Sequence, residues 1–105
     1  MPHIFATRRG RKLREEALAR DNWICQMCGV LLREGRKHRE AAIVDHTIPV
    51  SLAPELENDL ENLRSVCRDC HAVCASIEAR HDGNAQAIRD AKLRGTVIGV
   101  DGWPI

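Results

Sequence analysis

Cys25-Gln26-Met27-Cys28-Gly29 and Cys67-Arg68-Asp69-Cys70-His71 share one Cys-x-x-Cys spacing, and between them lie Asp45-His46 and Asn62. A Cys-x-x-Cys turn can place two thiolates on one metal ion, and two such turns complete a tetrahedron. The pairs stand 38 residues apart, against roughly 15–20 in an ordinary zinc ribbon, so something is built between the two halves of the site. The competing readings are a redox pair, a disulfide or unrelated buried thiols. Two pairs in so short a chain favour structural zinc over all three. Gly29 suits the tight turn that brings backbone amides up to a thiolate pair. Cys74, one helical turn beyond Cys70, reads as a small buried hydrophobe.

The chain of 105 residues has one Phe, two Trp and no Tyr, so a single domain over 1–105 is expected. A core this poor in rings gains from a metal staple, which supplies folding free energy on the order of 10 kcal/mol. No apolar run suits a membrane span and no secretory pattern opens the chain. A cytoplasmic setting, bacterial or phage-infected, is therefore expected, and there paired cysteines are more often metal ligands than disulfides. The net charge of +1 says little, but its distribution says more. Residues 1–40 hold ten Lys/Arg against five Asp/Glu, a charge of +5, and residues 41–105 hold six against ten, a charge of −4. The basic residues gather at Arg8, Arg9, Arg11, Lys12 and Arg14, and again at Arg33, Arg36, Lys37 and Arg39. Each group reads either as phosphate contacts or as a solvated face.

Pro2 and Gly10 make residues 1–10 read as irregular. A helix is predicted over about 11–20, with Leu13, Ala17 and Leu18 on one side. Residues 30–40 connect short strands or loops. Residues 41–44 form a short strand that delivers Asp45 and His46 to its end. A long connection over 47–61, broken by Pro49 and Pro54, carries Glu55, Glu57, Asp59 and Glu61. Residues 62–66 are extended. A helix follows over about 68–80, with Val73 and Ile77 on one buried face, and His81-Asp82-Gly83 stops it. A last helix over about 84–94 ends at Gly95, and the tail 96–105 lacks regular structure.

Hydrolysis of a phosphodiester needs a base for water and a cation for the developing charge. A neutral histidine is a suitable base. Asp45 and His46, adjacent on a strand, point to opposite faces, which separates a metal ligand from a base. His71, tethered by Cys70, could meet Asp45 at one metal while His46 faces the substrate.

The string Asp45-His46-x-x-Pro49, Asn62-Leu63 and Cys67-x-x-Cys70-His71 resembles the HNH endonuclease family, and Cys25-x-x-Cys28-Gly29 is similar to the upstream half of its zinc-stapled branch. The resemblance covers about residues 20–80. It implies an α+β chain with a small ββα-metal fold, a four-cysteine structural zinc at Cys25, Cys28, Cys67 and Cys70, and flanking helices. It further implies His46 as general base, Asp45 and His71 as ligands of a catalytic Mg²⁺, Mn²⁺ or Ni²⁺, and Asn62 bracing the loop and orienting His46 through hydrogen bonds. DNA is the implied partner, with Arg8, Arg9, Arg11, Lys12, Arg14, Arg64 and Arg68 as candidate contacts. The Arg-rich first helix and Val100-Asp101-Gly102-Trp103-Pro104 are similar to small HNH proteins of tailed phages, which brings in phage DNA processing or packaging with terminase or portal proteins. Ala75 departs from the family, since a His, Asn or Lys often stands there as a third ligand.

Plainer readings stand beside these. His46 could be an ordinary core or surface histidine, Asn62 a turn residue, and His71 a partner behind the zinc. Arg64 and Arg68 could be merely solvated. His3, His38 and His81 have no evident partner and are expected to be exposed, and Trp23 reads as a core or interface anchor. The alternatives to a metal-dependent DNA endonuclease are a non-catalytic zinc module that binds nucleic acid and a protein-interaction subunit that uses the acidic loop or the tail.

Overall fold

Thr7 sets the start of the first helix, because its Oγ1 accepts the Gly10 amide at 3.0 Å. In this computed structural model, which describes residues 7–94, that helix, α1, runs Arg8–Arg20. It begins before the predicted residue 11. A threonine cap contributes about 1 kcal/mol, enough to offset the similar cost of a glycine in the first turn. Gly10 is itself buried. The predictions for His3 and for the tail 95–105 lie outside the described residues.

Ala17 and Leu18 of α1 are buried against Cys25, Met27, Leu32, Val44, Leu63, Val66 and Cys74, with Trp23 packed on the edge of this cluster. The chain leaves α1 through Asn22 and Trp23, both in left-handed backbone with φ of 56° and 55°. Such strain persists only where surrounding contacts fix it. Here the Trp23 amide donates to the Leu18 carbonyl at 3.0 Å and the Trp23 carbonyl accepts from Leu32 at 2.7 Å.

Strands β1 (Ile43–His46) and β2 (Leu63–Val66) pair antiparallel, with Asp45 opposite Arg64 and His46 opposite Leu63. Asp45 and His46 therefore lie within the strand and not beyond its end. The far edge of β2 is closed by the turn after α1: the Ser65 amide donates to Asp21 Oδ2 and the Ser65 carbonyl accepts from Gln26, both at 2.9 Å. Residues 30–40 join two isolated bridges, Ile24 with Leu31 and Arg33 with Ala41. The connection after β1 contains two 3₁₀ turns, Pro54–Leu56 and Leu60–Asn62. Arg20 pins the second of them, donating to the carbonyls of Leu60 at 2.8 Å and Leu63 at 2.6 Å.

Helix α2 (Arg68–Arg80) is capped by Cys67, whose sulfur accepts the Cys70 amide. Its buried side is Cys74 and Ile77. Val73, predicted on that side, is 49% exposed, because the cysteines turn the neighbouring arc of the helix inward. Helix α3 (Ala85–Arg94) starts at Asn84, whose side chain accepts the Ala87 amide at 3.0 Å. Ile88 and Lys92, four residues apart, are its buried residues. The result is α+β, with three helices around a two-stranded sheet among the described residues.

Candidate active site and metal centre

The cysteine cluster forms where the turn after α1 meets the start of α2. The sulfurs of Cys25, Cys28, Cys67 and Cys70 all lie within 4.8 Å of one another. Cys25 Sγ accepts the amides of Cys28 at 3.4 Å and Cys67 at 3.3 Å. Gly29, at φ 82°, returns its amide to the Cys25 carbonyl and closes the turn. Burial alone would raise the Cys25 thiol pKa, but the amides of Cys28, Met27 and Cys67 outweigh it and hold the group below its ordinary value. Burial pushes Cys28 up. Cys70 rises further, through burial and then the Cys67 thiol and the charge at Cys25. Four such thiols ionise together only with a cation among them, so this cluster could hold one metal ion. Cys74 lies apart from it, fully buried, its thiol 3.5 Å from Met27 Sδ. Burial raises its pKa to about 11.

The second cluster forms where β1 meets the first turn of α2. Asp45 is 5% exposed, and its Oδ1 faces Nε2 of His71, from the first turn of α2, at 3.8 Å. Two ligands each about 2.1 Å from a cation stand at most about 4.2 Å apart, so this pair fits a single divalent ion. His46 directs Nε2 to the Glu57 carbonyl at 3.0 Å. A carbonyl only accepts, so Nε2 is the donor in this bond, and in the neutral ring the other nitrogen, Nδ1, is then the basic one. Asp45, His46 and His71 line one cleft of about 200 Å³ together with Pro49, Val50 and Glu78.

Asn62 stands behind this cleft. Its Oδ1 accepts the Ile48 amide and its Nδ2 donates to the Ile48 carbonyl, both at 3.0 Å. The Thr47 amide also donates to the Asn62 carbonyl at 2.8 Å. The loop after His46 is thereby braced, while the bond that holds the imidazole comes from Glu57. The acidic side chains of Glu55, Asp59 and Glu61 are exposed, so this segment meets the site through a backbone carbonyl.

A wider groove of about 670 Å³ shares Val44 and His71 with the cleft and is edged by Arg14, Arg36 and Arg68. Arg14 is partly tied down, donating to Glu34 at 3.3 Å and to the Ala42 carbonyl at 3.2 Å. Arg8, Arg9, Arg11 and Lys12 are exposed along α1. Arg64 departs from the surface expectation: it is only 9% exposed and donates to the Lys92 carbonyl at 3.3 Å. Opposite Asp45 on the sheet, it is drawn under α3 and not out to solvent. His38 and His81 are half-buried and not exposed.

Two charged residues of this site escaped the sequence reading. Lys92 is fully buried, and its Nζ donates to Asp45 Oδ2 at 3.0 Å, to the His46 carbonyl at 2.8 Å and to Glu78 Oε2 at 2.9 Å. Glu78 lines the cleft two helical turns beyond His71. The one signal for Lys92 was its place four residues after Ile88, on the apolar side of α3.

Residues 25–72 match the family model described as HNH endonuclease. The chain carries an HNH endonuclease domain. The matched span of this HNH domain begins at Cys25 and ends one residue past His71, so it encloses the four cysteines and Asp45, His46 and His71, while Glu78 and Lys92 lie beyond it. Among solved structures, the HNH endonuclease of the deep-sea thermophilic bacteriophage GVE2, crystallised with manganese ion, is similar. It shares 27% identity at a TM-score of 0.62, over 75% of this chain and 82% of that one. No curated protein matches the chain.

Proposed function

We propose that this HNH domain hydrolyses phosphodiester bonds of DNA with one divalent cation, Mg²⁺, Mn²⁺ or Ni²⁺, held by Asp45 and His71, and with His46 as general base. The observation that carries this reading is the cleft itself: a carboxylate and an imidazole facing each other at 3.8 Å, beside a histidine whose tautomer is fixed by the Glu57 carbonyl. Nδ1 of His46 takes a proton from the attacking water. When bound, the cation supplies positive charge to the phosphate and to the leaving 3′ oxygen. The leaving group departs as a 3′-hydroxyl and the other end keeps a 5′-phosphate. Arg68, Arg36 and Arg14 border the groove that continues from His71, and they neutralise the phosphates on either side of the cut. The exposed Arg8, Arg9, Arg11 and Lys12 extend that contact along α1. Few side chains of the groove could read base edges, so weak sequence preference is expected.

Zinc is the metal we assign to Cys25, Cys28, Cys67 and Cys70. Bonds of about 2.3 Å from zinc to sulfur set tetrahedral edges of about 3.8 Å, and Cys28 Sγ lies 3.7 Å from Cys67 Sγ. Four protein ligands leave no open position, so this ion is structural. The phage neighbour was crystallised with manganese ion, and manganese is one of the cations we assign to the Asp45–His71 pair. The same neighbour favours a role in phage DNA processing, in the cytoplasm of the infected cell. No described helix is long and apolar enough to cross a membrane. Nothing among the described residues marks a surface for terminase or portal proteins.

Supercoiled plasmid with each of the three cations tests the assignment. His46→Ala should lose at least about 100-fold in nicking rate with unchanged melting temperature. A variant that cuts as fast as the parent removes His46 from the role of base.

A further inference from the structure

We propose that Lys92 is a positioning residue of the catalytic centre: its ammonium takes Oδ2 of Asp45 and leaves Oδ1 as the one oxygen offered to the cation opposite His71. The proposal rests on the assignment of Asp45 and His71 as cation ligands. A lysine side chain has three donors and no acceptor. All three are spent here, on Asp45, on the His46 carbonyl and on Glu78. The residue is 0% exposed, and a buried charge persists only when paired and hydrogen-bonded. Its backbone is held as well, since Arg64 donates to the Lys92 carbonyl and Ile88 seats α3 in the interior.

Two consequences follow from the charges. Lys92 prevents Asp45 from turning both oxygens toward the cation, which would draw the ion away from His71. It also restrains Glu78, the second carboxylate lining the cleft, from becoming a competing ligand. One lysine thus defines which of four carboxylate oxygens binds metal, in a site where Ala75 supplies no third ligand from α2. It touches the His46 backbone too, so the same ammonium sets the ligand and the base in register.

Mn²⁺ titration followed by electron paramagnetic resonance, on zinc-loaded full-length protein, separates positioning from mere packing. Lys92→Met removes one positive charge a few ångströms from the ion and should tighten Mn²⁺ binding about tenfold or more. The nicking rate constant should nevertheless fall about tenfold or more, because the ion is held in the wrong place. A packing defect would weaken binding and rate together with the melting temperature. Lys92→Met/Glu78→Gln removes the Lys92–Glu78 pair as a unit and leaves one fewer unpaired carboxylate than the single variant, so it is the variant to measure where Lys92→Met does not fold. Its Mn²⁺ affinity should stay within about threefold of the parent, while the rate constant stays low at unchanged plasmid KM. Parental rates in the double variant, or in a folded Lys92→Met, overturn the proposal. An Asp45→Asn control separates the two readings. Unchanged Mn²⁺ binding there would remove the cation site and the Lys92 role together. Lost binding there, with parental behaviour at Lys92, would remove only the latter.

Discussion

At the scale of the residue, the site is organised by backbone acceptors as much as by side chains. His46 is aimed by the Glu57 carbonyl, and the loop that follows it is locked by Asn62 through a two-way bond with Ile48. Removing Asn62 leaves a part-buried amide and carbonyl of Ile48 without their side-chain partner, at a cost of up to about 1–3 kcal/mol for each unsatisfied group. Asn62→Ala should therefore lower the melting temperature and the nicking rate constant while plasmid KM is unchanged. Asn62→Asp keeps an acceptor for the Ile48 amide but loses the donor to the Ile48 carbonyl, so it should fall between parent and alanine variant. Equal rates for all three proteins would detach the Ile48 brace from catalysis. Cys74 gives a pH prediction. Its pKa is raised by burial from the ordinary 9.0 to about 11, so the folded state favours the neutral thiol. That contribution is complete below about pH 9 and is lost as pH rises toward about 11. Cys74→Ala should flatten the decline of stability across that window, measured by urea unfolding at successive pH values.

At the scale of the element, what was legible in the sequence was local. Helix α2 runs from Arg68 to Arg80 because the Cys67 cap and the His81-Asp82-Gly83 stop lie beside the helix in the chain. The cysteine turns are legible for the same reason. The start of α1 was not, because Gly10 reads as a break, while Thr7 shows itself as a cap only through its bond to the Gly10 amide. Lys92 and Glu78 were illegible because a charged residue on a helix ordinarily marks the solvent side. Only the arrival of Asp45 from a distant strand reverses that. The Glu57 carbonyl leaves no trace in residue identity at all. Charge on the elements also divides unevenly, with Arg68 and Arg36 at the groove and Arg64 drawn inside. Arg68→Ala should weaken DNA binding about equally for all sequences and lower the slope of log affinity against log salt by about 1. Exposed Arg80→Ala, at the far end of α2, should leave both quantities unchanged. An unaltered slope in Arg68→Ala would place the phosphate path elsewhere.

At the scale of the whole molecule, the cysteine cluster joins the two halves of the fold. Cys25 and Cys28 belong to the turn that closes β2, and Cys67 and Cys70 open the helix that carries His71. On the proposed assignment, the Asp45–His71 pair is assembled by an ion that takes no part in the reaction, since His71 directly follows Cys70 and Asp45 lies on the strand paired with the segment leading to Cys67. The buried core around it contains Ala17, Leu18, Val44, Leu63 and Val66, and among the described residues no aromatic ring is fully inside it. Such a core is thin against the conformational entropy of folding, while a structural zinc supplies on the order of 10 kcal/mol. Removal of the metal with a strong chelator should therefore unfold the chain, with loss of helical circular dichroism, and excess zinc should restore it. Excess Mg²⁺ should not, because a hard cation prefers oxygen to sulfur. The pH dependence has a definite sign. Cys28 and Cys70 are raised in the metal-free cluster, so binding must expel their protons, and acid competes with the metal. The chelator concentration needed for unfolding should fall as pH is lowered from 8 toward about 6. A chelated protein that keeps its helical signal would show that the apolar cluster suffices alone, and that the four cysteines position His71 without holding up the fold.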